Sequence, residues 1–145
     1  MSEAAKPPGS TDELGLVKFH IIAAICWLLL GMVAGTFMGY RLSGSSAAQW
    51  MGDYEFLSFG RIRILHTNMV VFGWLSNGFF AFSYYAIPRL TGRRLIALGV
   101  AKGNAVLVQI AVLLGAIGIL SGHAEGVEYA VDGIRGFAEQ AQMRW

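Results

Sequence analysis

Cysteine occurs once in this sequence and proline three times, and charged side chains make up only 14% of its 145 residues. With Cys26 alone, the chain can form no intrachain disulfide and carries no paired-cysteine metal motif. Cys26 itself reads as a small apolar core residue. Nine acidic residues against eleven basic ones leave a formal charge of +2, which gives no case for a nucleic-acid partner. A phosphate-binding glycine loop is missing. Ser58, Ser76 and Ser83 have no identifiable base and acid partners, and two nearby glutamates on a surface loop, Glu125 and Glu128, do not make a glycosidase.

Charge is missing altogether from three stretches: Phe19 to Tyr40, Ile64 to Pro88 and Gly103 to Ala124. Each exceeds the roughly 18 to 20 residues a helix needs, at about 1.5 Å per residue, to cross a hydrocarbon core of about 30 Å. Lipid offers no partner to backbone N–H and C=O groups, and the runs are too continuous for barrel strands, which alternate apolar and polar positions. The predicted class is therefore all-α and integral to a membrane, with spans over about 19–40, 64–88 and 103–124. Residues 1–18, with Pro7, Pro8, Gly9 and Ser10, have little to bury and read as a disordered polar leader. That leader carries Glu3, Asp12 and Glu13, and no small-residue cleavage site follows, so the first span is an anchor rather than a removed signal. Residues 125–145 form a tail on the far side.

Lysine and arginine set the orientation, because they are costly to translocate. The second loop holds Arg89, Arg93, Arg94 and Lys102 with no acid, and the leader adds Lys6 and Lys18. The first loop sets Arg41, Arg61 and Arg63 against Asp53 and Glu55. This bias predicts a cytoplasmic amino terminus and second loop, with His66 near the outer face.

Two patterns lie inside the spans. Gly31, Gly35 and Gly39 recur every four residues and bare one stripe of the first helix for close approach of another helix or a flat ligand. On the second helix His66, Met69, Val70, Gly73, Asn77, Phe80 and Tyr84 share one side. Such a face suits the edge of a flat macrocycle or an ordinary helix neighbour, and the pattern alone does not choose. His66 is in the same position: ionisable groups at membrane depth default to function, while a histidine at a helix end is cheaply solvated. His20, at the start of the first span, reads as interfacial, and His123, beyond the third, as solvated.

The run "LSFGRIRILHTNMVVFGWLSNGFFAFSYYAIPRL", with "GHAEGVEYA" after the third span, resembles the amino-terminal part of the large subunit of cbb-type haem-copper oxidases. The related nitric oxide reductase large subunit begins its second helix with a similar histidine-threonine-asparagine. The likeness covers about Lys18 to Ala130, and the phrase around His66 is its specific part. It implies that His66 is an axial ligand of a low-spin haem b, a role suited to neutral imidazole. It also implies that Arg63, one turn earlier, meets the haem propionates or anchors at the interface, with Arg61 an interfacial anchor, and that Gly73 packs against the haem. In the family a calcium ion lies near the propionates, and Glu128 is the matching carboxylate, although calcium needs six to eight oxygen ligands and this chain offers few.

By the same resemblance, copper, the second haem and the remaining histidines belong to helices this sequence does not contain. After Ala130 only "VDGIRGFAEQAQMRW" follows, without a span or a histidine, so a fragment, a truncated product or one part of a split subunit is expected. Partners would then be the membrane, the rest of the large subunit and cytochrome c-type subunits, in a bacterial inner membrane. Cytochrome c oxidase activity would belong to the complete complex and not to this chain alone. The alternatives are the equivalent part of a nitric oxide reductase, or a non-catalytic module that binds haem or packs helices.

Overall fold

The computed structural model describes residues 11–44 and 54–122, and among these described residues are three long helices. Helix α1 covers Thr11–Leu42, α2 covers Phe59–Thr91 and α3 covers Leu98–Leu120; a short 3-10 turn, Glu55–Leu57, leads into α2. All three are long and apolar enough to cross a membrane, and no strand occurs among the described residues. The protein is an all-α membrane protein with three spanning helices, as its uncharged runs dictate.

The helices do not stop where the charges begin. Helix α1 starts at Thr11, inside the stretch read as a disordered leader. Asp12 and Glu13 complement the positive end of its dipole and Arg41 the negative end, while Leu16 and Val17 are buried. Residues 1–10 lie outside the described part. Helix α2 likewise begins at Phe59, ahead of Ile64, and closes on Gly92, whose φ of 65° and ψ of 12° form the left-handed cap that glycine adopts without strain. Helix α3 begins at Leu98 and ends at Leu120, short of the expected Ala124, because the backbone turns at Gly122, where φ is 86°.

Helix α1 lies along α2 for most of its length, and α3 closes the bundle. One apolar cluster joins Ala34 of α1, Ile62, Ile64 and Leu65 of α2, and Ala116 and Ile119 of α3; a second, near the start of α1, joins Leu16 to Ala101 and Ala105 of α3. The same end is tied by the buried Glu13, whose carboxylate accepts the Leu95 backbone N–H at 3.1 Å and faces the Arg94 guanidinium at 3.9 Å. Elsewhere the interior is small: only 17% of each apolar window is buried within the chain. Ile22, Leu29, Phe79, Phe82, Leu107 and Leu114 face outward, an arrangement that suits lipid or additional helices and not water. Cys26 belongs to that outer surface, which corrects its reading as a core residue. Three helices enclose too little space to bury every small apolar side chain.

Helix α2 is not uniform. Between an α-helical start, Phe59–Asn68, and an α-helical end, Ser76–Thr91, the seven residues Met69–Leu75 form a π-helix. Polar side chains flank this segment and bond to the carbonyls nearby: Asn68 Nδ2 to Ile64 O at 2.8 Å, Ser76 Oγ to Val71 O at 3.1 Å and Asn77 Nδ2 to Gly73 O at 2.6 Å. Wider turns of this kind leave carbonyls without their usual partner, and they are frequent at functional sites.

Candidate functional site

His66 sits two turns inside α2, immediately ahead of the π segment, and turns toward α1. Its Nδ1 is 2.7 Å from the carbonyl oxygen of Gly31. A carbonyl can only accept, so Nδ1 donates, and the neutral ring keeps its lone pair on Nε2. The Cε1–Nδ1 side of the ring lies against the bare backbone of Gly35, where an added Cβ would stand 2.9 Å from Cε1 and 3.0 Å from Nδ1. Thr67 and Asn68 direct their side chains back to the carbonyls of Arg63 and Ile64, which ties the turn that carries the histidine.

The glycine stripe of α1 therefore divides by position. Gly31 receives Val70 and Met69 and supplies the anchoring carbonyl, Gly35 receives the imidazole, and nothing stands within 4 Å of a Cβ at Gly39. On α2, Gly73 is covered by Trp27, whose Cγ and Cβ would lie 2.6 and 2.7 Å from an added Cβ. Residues of the face running from His66 to Tyr84 pack against α1, and Met69 and Phe80 also line a groove toward α3.

Arg61 and Arg63 diverge. The Arg61 guanidinium pairs with Glu55 at 2.5 Å and lies close to Gly122 at the end of α3. Arg63 remains half-buried one turn before His66. Glu125, Glu128 and His123 lie outside the described residues, and among the described residues no group of three or more metal-binding side chains comes together. An apolar groove of about 440 Å³ lies between α2 and α3, lined by Leu65, Met69, Phe72, Phe80, Val112 and Ala116 among others. His66 faces the other way, toward α1.

The structure adds a site that the sequence reading misplaced. His20 is not interfacial: it is fully buried, with 0% exposure, and its Nδ1 meets Asn77 Oδ1 at 2.7 Å. Asn77 Oδ1 also accepts Gln109 Nε2 of α3 at 2.8 Å, and Gln109 Oε1 accepts the Trp27 indole N–H at 2.7 Å. One polar side chain from each uncharged run thus meets at the centre, with Trp27 closing the row. That signal was in the sequence, since a polar group inside a span seeks a partner on a neighbouring span. The uncharged run starts at Phe19, but the helix starts at Thr11, which carries His20 more than two turns into it.

The fold and these sites define a class: a multi-pass helical membrane protein that presents a backbone-anchored imidazole from within its bundle. The chain belongs to the family described as cytochrome c and quinol oxidase polypeptide I, whose model matches residues 15–144 and so runs past Ala130. It is 30% identical over 128 residues to a cytochrome c oxidase subunit 1 of Rhodobacter capsulatus, covering 86% of this chain and 24% of that relative. It is 33% identical over 115 residues to the Cbb3-type cytochrome c oxidase subunit CcoN1 of Stutzerimonas stutzeri, covering 79% of this chain and 24% of that protein. A cytochrome c oxidase subunit 1 homolog of Agrobacterium tumefaciens is 27% identical over 128 residues, which is 87% of this chain and 23% of the homolog. The chain therefore spans about a quarter of the length of these relatives. No solved structure matches it significantly.

Proposed function

We propose that this chain forms the amino-terminal part of a respiratory terminal oxidase large subunit of the cbb type and that His66 is an axial ligand of its low-spin haem b. The observation that carries the reading is the 2.7 Å hydrogen bond from His66 Nδ1 to Gly31 O. Metal-ligating histidines characteristically donate their second ring N–H to a carbonyl or carboxylate, which fixes the tautomer and raises the basicity of the ligating nitrogen. Here that bond and the Gly35 backbone together fix the plane of the ring, and Nε2 is the nitrogen left to coordinate. A neutral imidazole held in this way fits the donor chemistry of haem iron.

When bound, the haem supplies one-electron transfer from cytochrome c toward the oxygen-reducing centre, whose copper and second haem need ligands from other helices. The chain's own share is narrower. Gly31 orients the imidazole, Gly35 admits it, and Thr67 and Asn68 hold the turn. Arg63, one turn from His66, is placed to offer positive charge to a propionate. Glu128 is a candidate carboxylate for calcium. Partners follow the same reading: the rest of the large subunit and cytochrome c-type subunits, in a bacterial inner membrane with the amino terminus in the cytoplasm, as the loop charges favour.

The test is a reduced-minus-oxidised visible spectrum of the purified chain, alone and co-expressed with its genomic neighbours, for the wild type and His66→Ala. A low-spin b-type signal that needs the partners and disappears in the variant is expected. Unchanged haem content in the assembled His66→Ala complex would remove the assignment.

A further inference from the structure

The buried row Trp27, Gln109, Asn77, His20 has a fixed polarity. An indole N–H only donates, so Gln109 presents Oε1 to Trp27 and its amide N–H to Asn77. Asn77 spends its own Nδ2 on Gly73 O, leaving Oδ1 as the acceptor for both Gln109 and His20. His20 must therefore donate from Nδ1, and its neutral ring holds a lone pair on Nε2. That atom is fully buried and has no hydrogen-bond partner among the described residues.

Its surroundings limit what Nε2 can take. The rings of Phe19, Phe80 and Tyr84 stand 5.6, 5.4 and 5.6 Å from the imidazole centroid, so a macrocycle has no room and only a small donor fits. No cluster of metal-binding side chains accompanies it among the described residues. A lone pair in such a place calls for one hydroxylic donor. Phe19 also lines a cavity of about 320 Å³ whose wall includes Thr11, Asp12, Gly15, Leu16 and Lys102. Asp12 and Lys102 put that cavity at a charged, water-facing end of the bundle, within about 12 Å of His20 along α1 at about 1.5 Å per residue.

We propose that His20 Nε2 is a binding site for a single water molecule, admitted from the Asp12 and Lys102 cavity past the Phe19 ring. The water completes the row as its terminal donor. Phe19 lines the cavity and its ring meets the imidazole edge-on, so it is the side chain that lies between the two. The row ends there, because the Asn77 and Gln109 amides and the Trp27 indole are fixed donors and acceptors that do not carry a proton onward. The site is independent of the haem reading, since His66 takes no part in it.

The test is solid-state NMR of the full-length chain in phospholipid bilayers, with ring-labelled histidine as the isotopic label and the His20 signals assigned as those lost in His20→Phe. The expected result is a protonated Nδ1, an unprotonated Nε2, and early arrival at the His20 ring of magnetisation started on water. Phe19→Ala, which widens the entry, should quicken that arrival. A protonated Nε2 with an unprotonated Nδ1, or magnetisation that reaches the ring from lipid protons and not from water, overturns the proposal. So does a ring that water magnetisation never reaches in the wild type.

Discussion

Alanine at Gly35 tests the His66 cradle directly. The new methyl carbon would stand 2.9 Å from Cε1 and 3.0 Å from Nδ1 of the imidazole. Carbon atoms in optimal contact sit about 3.5–4.0 Å apart, so the ring must retreat by roughly 0.5–1 Å. Retreat by that amount stretches the 2.7 Å bond to Gly31 O beyond useful length. Overpacking costs about 1–3 kcal/mol and an abandoned donor about 1–3 kcal/mol more, against a gain of about 0.5–1 kcal/mol from replacing helical glycine. A net loss of about 1–5 kcal/mol is expected from these terms. Gly39→Ala is the matched control: nothing stands within 4 Å of its Cβ, so only the helical gain applies. The assay is reversible unfolding of the full chain in detergent, followed by circular dichroism, with the haem spectrum of the co-expressed complex as a second readout. Equal stability of the Gly35 and Gly39 variants, together with equal haem content, would refute the argument that the glycine exists to admit the histidine.

The remaining expectations concern the rest of the bundle. Asn77→Leu strands His20 Nδ1 and leaves Gln109 Nε2 only its 3.4 Å bond to Ala105 O, and should cost about 2–5 kcal/mol, whereas His20→Phe removes the lone pair while Gln109 still serves Asn77, and should cost far less; unfolding curves that rank them the other way contradict the row. Gly73→Ala drives a methyl group into Trp27 and should destabilise by about 1–3 kcal/mol with a shift in indole emission, while Gly78→Ala, with nothing within 4 Å, should do neither. Glu13→Ala releases the Leu95 N–H and Arg94 and should speed trypsin cleavage at Arg93 and Arg94, with no change in the cleavage rate counting against the latch.

Hydropathy made the three spans legible because lipid penalises charge along a fixed length of helix, and that rule needs no tertiary information. It could not place the helix ends. Backbone bonding continues through Glu13, Arg61 and Arg63 wherever a partner or a water-facing end receives the charge, so α1 and α2 overrun their uncharged cores. The His66 face was legible from spacing, but its neighbour was not: whether a bare stripe meets a ring, an indole or another helix depends on packing. Gly35 and Gly73 look alike in sequence, yet one receives an imidazole and the other Trp27. The π segment carries no signal in residue type at all. His20 was lost through an error of register, since a helix that begins at Thr11 places that residue well inside the bundle.

The central row also bears on the order of assembly during synthesis. His20, Asn77, Gly31 and His66 all belong to the first two helices, so a hairpin of α1 and α2 can settle both histidines before α3 leaves the ribosome. What remains is the Trp27 indole and a lone pair on Asn77, and Gln109 satisfies both with its two ends. Helix α3 thus arrives as a bolt with one seat prepared for it, and a misplaced α3 in the membrane leaves a donor and an acceptor open in an apolar medium.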